Sequence, residues 1–145
     1  MSLLERIQAD ATAAMKARDP ARVGALRMLA SELQKAAKDA RDGVDEVAVL
    51  QRERKRRLES AAAYRDGGRA DLAGKEEAEA TLIEVYLPEQ LGDAELRALV
   101  EDAVAASGAS SPGEMGKVMG LVMPKVKGRA DGKRVSQVVR EVLAP

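Results

Sequence analysis

"YLPEQLGD", residues 86–93, interrupts a chain whose apolar residues otherwise recur at helical spacing. Pro88 disfavours helix at the residue before it, so no continuous helix is expected to cross this point. Working outward on both sides predicts an all-α protein of two helical domains. A four-helix domain covers residues 1–88 and a smaller three-helix domain covers residues 89–145.

Upstream, Ser2 with Glu5 spells a capping box, followed at helical spacing by Leu3, Leu4, Ile7, Ala11, Ala14 and Met15 to about residue 18. Asp19 and Pro20 supply a cap and a first-turn proline for a second helix with its stripe at Val23, Leu26, Leu29, Ala30 and Leu33. Asp45 caps a third helix bearing "QRERKRR", residues 51–57, with Glu53 and Arg57 spaced for an i,i+4 pair. Gly67 and Gly68 stop it, and a fourth helix spans residues 69–86. Downstream, Asp93 is expected to cap a fifth helix ending at Gly108. Ser110 or Ser111 with Pro112 opens a sixth, which Pro124 bends or ends, and Asp131 caps a seventh.

The 145 residues include no cysteine, no histidine, no Phe and no Trp. Disulfides and thiolate metal sites are excluded, and so is the commonest general base. Tyr64 and Tyr86 are the only aromatics, so the core must be built from Leu, Val, Ile, Met and Ala, a mixture that favours helices. No apolar run reaches the roughly 18 residues of a membrane span. With an N-terminus unlike a signal peptide, the cytoplasm is the expected compartment.

Formal net charge is zero but unevenly spread. Residues 71–110 hold two basic and ten acidic side chains, whereas residues 111–145 hold seven basic and three acidic ones. Such asymmetry is compatible with a polyanionic partner, but charge alone favours the bland alternative, an ordinary solvated face. Within the positive tail lies "GEMGKVMGLVMPKVKGRADGK", residues 113–133, with five glycines and five cations. Gly113, Gly116 and Gly120 recur near helical spacing, and a mid-helix glycine costs about 1 kcal/mol relative to alanine. A close approach by another backbone or a ligand is expected to offset them, helix packing being the simpler reason for Gly120. Met115, Met119 and Met123 form a stripe that reads as core filler rather than a partner groove.

Catalytic chemistry finds little support. Ser110 and Ser111 are explained by a helix cap, Glu76, Glu77 and Glu79 by a solvated or salt-bridged face, and the glycine–lysine run lacks a nucleotide-loop pattern. No catalytic residue, cofactor or metal is expected. What remains is a nucleic-acid contact by Lys117, Lys125, Lys127, Arg129, Lys133 and Arg134 around the "GRADG" turn, where cations can meet successive phosphates. Asp131, as cap, occupies the anion position of its helix, so the contacts fall to Lys and Arg. Without aromatics in this segment, backbone and shape would be read rather than stacked bases.

These residues also carry a resemblance. "YLPEQL" together with "GASSPGEMGKVMGLVMPKVKGRADGKRVSQVVREVL" resembles the YqeY-type proteins, whose C-terminal half is similar to the tail domain of the B subunit of the tRNA-dependent amidotransferase. "LLERIQADATAAMKARD", "LRML", "RLES" and "GRADLAGKEEAE" extend the likeness along the whole chain. The resemblance implies a helical tRNA-binding accessory without the catalytic core, working beside an amidotransferase or aminoacyl-tRNA synthetase complex. A carbon–nitrogen ligase label would describe that complex rather than this chain alone. The competing expectation is a helical protein adaptor that binds no nucleic acid.

Overall fold

Ser2 Oγ accepts the Glu5 N–H at 3.1 Å while the Glu5 carboxylate accepts the Ser2 N–H at 3.0 Å, closing the capping box that starts α1, Leu3–Lys16. Asp19 and Asp45 cap α2, Pro20–Asp39, and α3, Glu46–Asp66, through the N–H groups of Arg22 and Ala48. The computed structural model describes all 145 residues. It continues with α4, Ala70–Glu84; α5, Asp93–Ser107; a short 3-10 turn, Pro112–Glu114; α6, Met115–Val126; and α7, Gly132–Leu143. The fold is all-helical, with no strand, and no helix is long and apolar enough to cross a membrane.

Two compact units result, Met1–Leu87 and Pro88–Pro145, each with its own core. In the first, α1 pairs with α2 and α3 with α4, and α2 also meets α3. Ile7, Leu26, Leu29, Leu33, Leu50 and Ile83 are fully buried there. Glu46, at the start of α3, accepts the otherwise unpaired N–H groups of Leu3 and Leu4 at 3.1 and 2.8 Å, tying one helical hairpin to the other. The acidic face of α4 meets the basic face of α3: Glu84 with Arg54 at 2.8 Å, Glu79 with Arg57 at 3.7 Å and Glu77 with Arg65 at 2.6 Å. The glutamates of α4 are thus largely an ion-paired face.

In the second unit, three i,i+4 ladders converge: Leu96 and Val100 of α5, Val118, Val122 and Val126 of α6, and Val135, Val139 and Leu143 of α7. Met115, Met119 and Met123 pack against this core as filler. Three expectations need correction here. A Cβ placed on Gly116 or Gly120 would meet nothing within 4 Å, so neither glycine admits a neighbouring backbone. Gly92, not Asp93, occupies the cap of α5 and gives no side-chain bond. Pro124 does not end α6, which runs on past it to Val126.

The two hairpins of the first unit close with the same turn. Gly68 N–H bonds to Arg65 O and Arg69 N–H to Tyr64 O, the paired bonds of a Schellman stop with Gly68 left-handed at φ +76°. At the end of α1, Arg18 N–H bonds to Met15 O and Asp19 N–H to Ala14 O, but the left-handed position, φ 56°, is taken by Arg18. An L side chain there is strained. Arg18→Gly is therefore expected to raise stability by roughly 0.5–1 kcal/mol, the strain relieved less the entropy added to the unfolded chain. Urea unfolding checks this, with Gly68→Arg as the reverse exchange that should lower stability.

Tyr86 and Leu87 are buried in the first core. The Tyr86 hydroxyl donates to the Asp10 carboxylate, and the Arg6 guanidinium lies 5.3 Å from the ring centre. Burial first, then the hydrogen bond and charge of Asp10, push the Tyr86 hydroxyl up to about 12. An unfolded tyrosine ionises near 10, so between these pH values the unfolded chain gives up a proton that the folded chain retains. The contribution is complete below pH 10 and lost as pH rises through 12. Tyr86→Phe should be less stable by about 1 kcal/mol at neutral pH, with the gap closing across that window. Circular dichroism at a series of alkaline pH values follows it, and a gap that stays constant would show that this hydroxyl does not titrate in the window.

Candidate nucleic-acid interface

Lys125 and Lys127 close α6, residues 128–131 form the turn, and Lys133 and Arg134 open α7. The turn is fixed by the segment that begins at Pro88. Leu91 N–H donates to Arg129 O at 2.9 Å, and the Gln90 side-chain amide donates to Gly128 O at 2.9 Å and to Pro88 O at 2.7 Å. Gly128 is left-handed at φ +79°, and buried Leu91 and Ala130 anchor the two strips into the core. Residues 88–91 are therefore a strap on the basic turn as well as a break between helices.

The six expected contact residues divide sharply. Lys125, Lys127 and Lys133 are exposed, and none forms an ion pair. Lys125 sits in the last turn of α6, where a cation also suits the helix dipole. Lys133 sits in the first turn of α7, where a cation opposes it, so helix stability does not account for this side chain. Lys127 lies outside regular helix, with no packing role to explain its charge.

The two arginines have structural duties. Arg129 Nε donates to Glu89 O at 3.1 Å. Arg134 donates to Leu91 O at 2.8 Å and pairs with Asp93 at 2.7 Å. Lys117 stands apart. It lies eight residues before Lys125, about 12 Å along α6 and about 80° around it, with its ammonium 3.5 Å from Glu114. The Ser110 N–H, and after it Lys117, hold the Glu114 carboxyl below the usual carboxylate range.

Asp131 Oδ1 accepts the Lys133 N–H at 2.9 Å and is the one carboxylate between Lys125 and Arg134. The free charge at this end of the second unit is consequently positive and carried by lysine. Gln90 and Leu91, which hold the turn in place, escaped the sequence reading. Their only signals were nearness to Pro88 and a place in the "YLPEQL" stretch.

The molecule so defined is an all-helical protein with a braced, lysine-edged turn. It belongs to the YqeY-like protein family, whose pattern matches residues 4–143. The chain is 32% identical over 149 residues to "Altered inheritance of mitochondria protein 41, mitochondrial" of Pyrenophora tritici-repentis, a match covering 97% of this chain and 81% of that protein. A stretch of 27 residues is 70% identical to the E subunit of the glutamyl-tRNA(Gln) amidotransferase of Methanopyrus kandleri, covering 19% of this chain and 4% of that protein.

Proposed function

We propose that the chain is a tRNA-binding accessory protein whose α6–α7 turn meets the sugar-phosphate backbone through Lys125, Lys127 and Lys133. Lys117, Arg129 and Arg134 act at the margin of that contact or in support of it. The carrying observation is that three exposed lysines without ion pairs flank one short turn whose backbone is held by hydrogen bonds from Leu91 and Gln90. The similarity to part of an amidotransferase supports tRNA as the polyanion and an amidotransferase or synthetase complex as its setting. The chain is not proposed to catalyse amidation by itself. The cytoplasm is the compartment in this reading, although the fungal relative's name places that protein in mitochondria.

Uncharged and misacylated tRNA titrated into the protein at two salt concentrations test the reading. Affinity should fall with salt at a log–log slope of about −0.7 to −0.9 for each phosphate neutralised. Absent or salt-indifferent binding would sink it and leave the adaptor reading in its place.

A further inference from the structure

We propose that the cleft between α2 and α4 in the first unit docks an amphipathic α-helix with acidic flanks, contributed by another protein. This is a second surface, independent of the reading given to the basic turn. The cleft is about 550 Å³. One wall carries Ala21, Gly24, Ala25 and Met28 of α2, the other Lys75, Ala78 and Leu82 of α4. Both sets follow the i, i+3, i+4, i+7 spacing of a single helix face, while the core-facing residues of α2, Leu26, Leu29 and Leu33, point elsewhere.

The lining is mostly apolar and its side chains are small. Gly24 has nothing within 4 Å of where a Cβ would stand, and Met28 is 52% exposed although its sulfur accepts a bond from Arg57. Around Pro20 and Gly24 the cleft adjoins a second one, of about 590 Å³, whose wall includes Met15, itself 51% exposed. Two helical walls faced with small residues and two exposed methionines have the form of a helix-in-groove site. No aromatic residue lines either cleft, so a base has nothing to stack on.

Charge specifies the occupant. Arg18, Arg22 and Lys75 at the rim are exposed and form no ion pair. Of the two carboxylates lining the cleft, Glu79 pairs with Arg57 at 3.7 Å and Asp19 accepts the Arg22 N–H, while Glu32 and Glu76 stand beside Met28 and Lys75 at the opposite end. Positive charge therefore prevails at the Pro20 end, where Arg18, Arg22 and Arg27 outnumber Asp19 beside the apolar lining. Arg18 adds an independent sign, because the left-handed position it fills is one where glycine would be more stable. A cation is kept on the rim at a cost to the fold.

The full-length protein with labelled methionine methyl groups provides the test. Two helical peptides of about four turns share one Leu face, one flanked by Glu and the other by Lys. The Glu-flanked peptide should shift the methyl signals of Met15 and Met28 and bind at least about tenfold tighter than its Lys-flanked twin. Gly24→Trp, which enters open space on an exposed helix face, should abolish those shifts while leaving the tRNA titration unchanged. Arg18→Glu with Lys75→Glu should invert the peptide preference. Equal binding of both peptides, unmoved methyl signals, or the same shifts produced by RNA or by self-association of the chain would overturn the proposal.

Discussion

Replacing Lys125, Lys127 and Lys133 with alanine is expected to weaken tRNA binding by on the order of 10- to 100-fold at moderate salt and to flatten the salt dependence by about two to three phosphate equivalents. The three side chains are exposed and form no ion pair, so their removal should leave the fold intact. That expectation separates them from their neighbours. Arg134→Ala removes the links to Leu91 O and Asp93 and should act mainly by loosening the strap. Lys117→Ala removes a cation about 12 Å away along α6 and should change affinity least. Filter binding or fluorescence anisotropy across a salt series, beside a thermal melt of each variant, distinguishes charge loss from unfolding. A triple variant that binds like the parent would overturn the assignment of the contact.

Arg57→Ala should cost the first unit about 3 kcal/mol, the loss typical of breaking a buried ion pair. The i,i+4 spacing of Glu53 and Arg57 suits an exposed pair of about 0.3–0.5 kcal/mol. Both residues are instead buried, at 3% and 8% exposure, and the guanidinium serves three helices. It bonds the Glu53 carboxylate and, at 3.2 Å, the Glu53 carbonyl within α3. It reaches Met28 Sδ on α2 at 3.1 Å and Glu79 on α4 at 3.7 Å. Arg57→Met combined with Glu53→Leu should recover most of the loss, since an apolar pair of similar volume avoids burying a lone charge. Both tyrosines lie in the first unit, so urea unfolding followed by tyrosine fluorescence reports that unit alone. A loss below about 1 kcal/mol for the single variant would mean that the pair acts as an ordinary surface contact.

Much of the helical scheme was legible because its signals are local. Ser2, Asp19, Asp45 and Asp131 cap the helices that their neighbours suggest, and the stripes Leu26–Leu29–Leu33 and Val118–Val122 face the cores. Pairings between distant residues were not legible. Arg134 meets Asp93 across 41 positions, and Glu46 meets Leu3 across 43, distances at which spacing carries no information. The burial of Arg57 was equally hidden, for a charged run has the same letters whether water or a neighbouring helix covers it. Gly116 and Gly120 misled because a missing side chain permits close packing without requiring it. At the basic turn, sequence supplied the cations but not their division of labour, which depends on carbonyls presented by residues 89 and 91.

The bridge from the Gln90 amide to the carbonyls of Pro88 and Gly128 has a calorimetric consequence. A polyanion arriving at this loop would find its backbone already immobilised, so the heat of association should lack the large ordering signature of a segment that folds upon its target. Gln90→Ala would preserve every formal charge yet restore that entropic penalty. Two proteins of identical electrostatic potential would then differ in affinity through preorganisation alone.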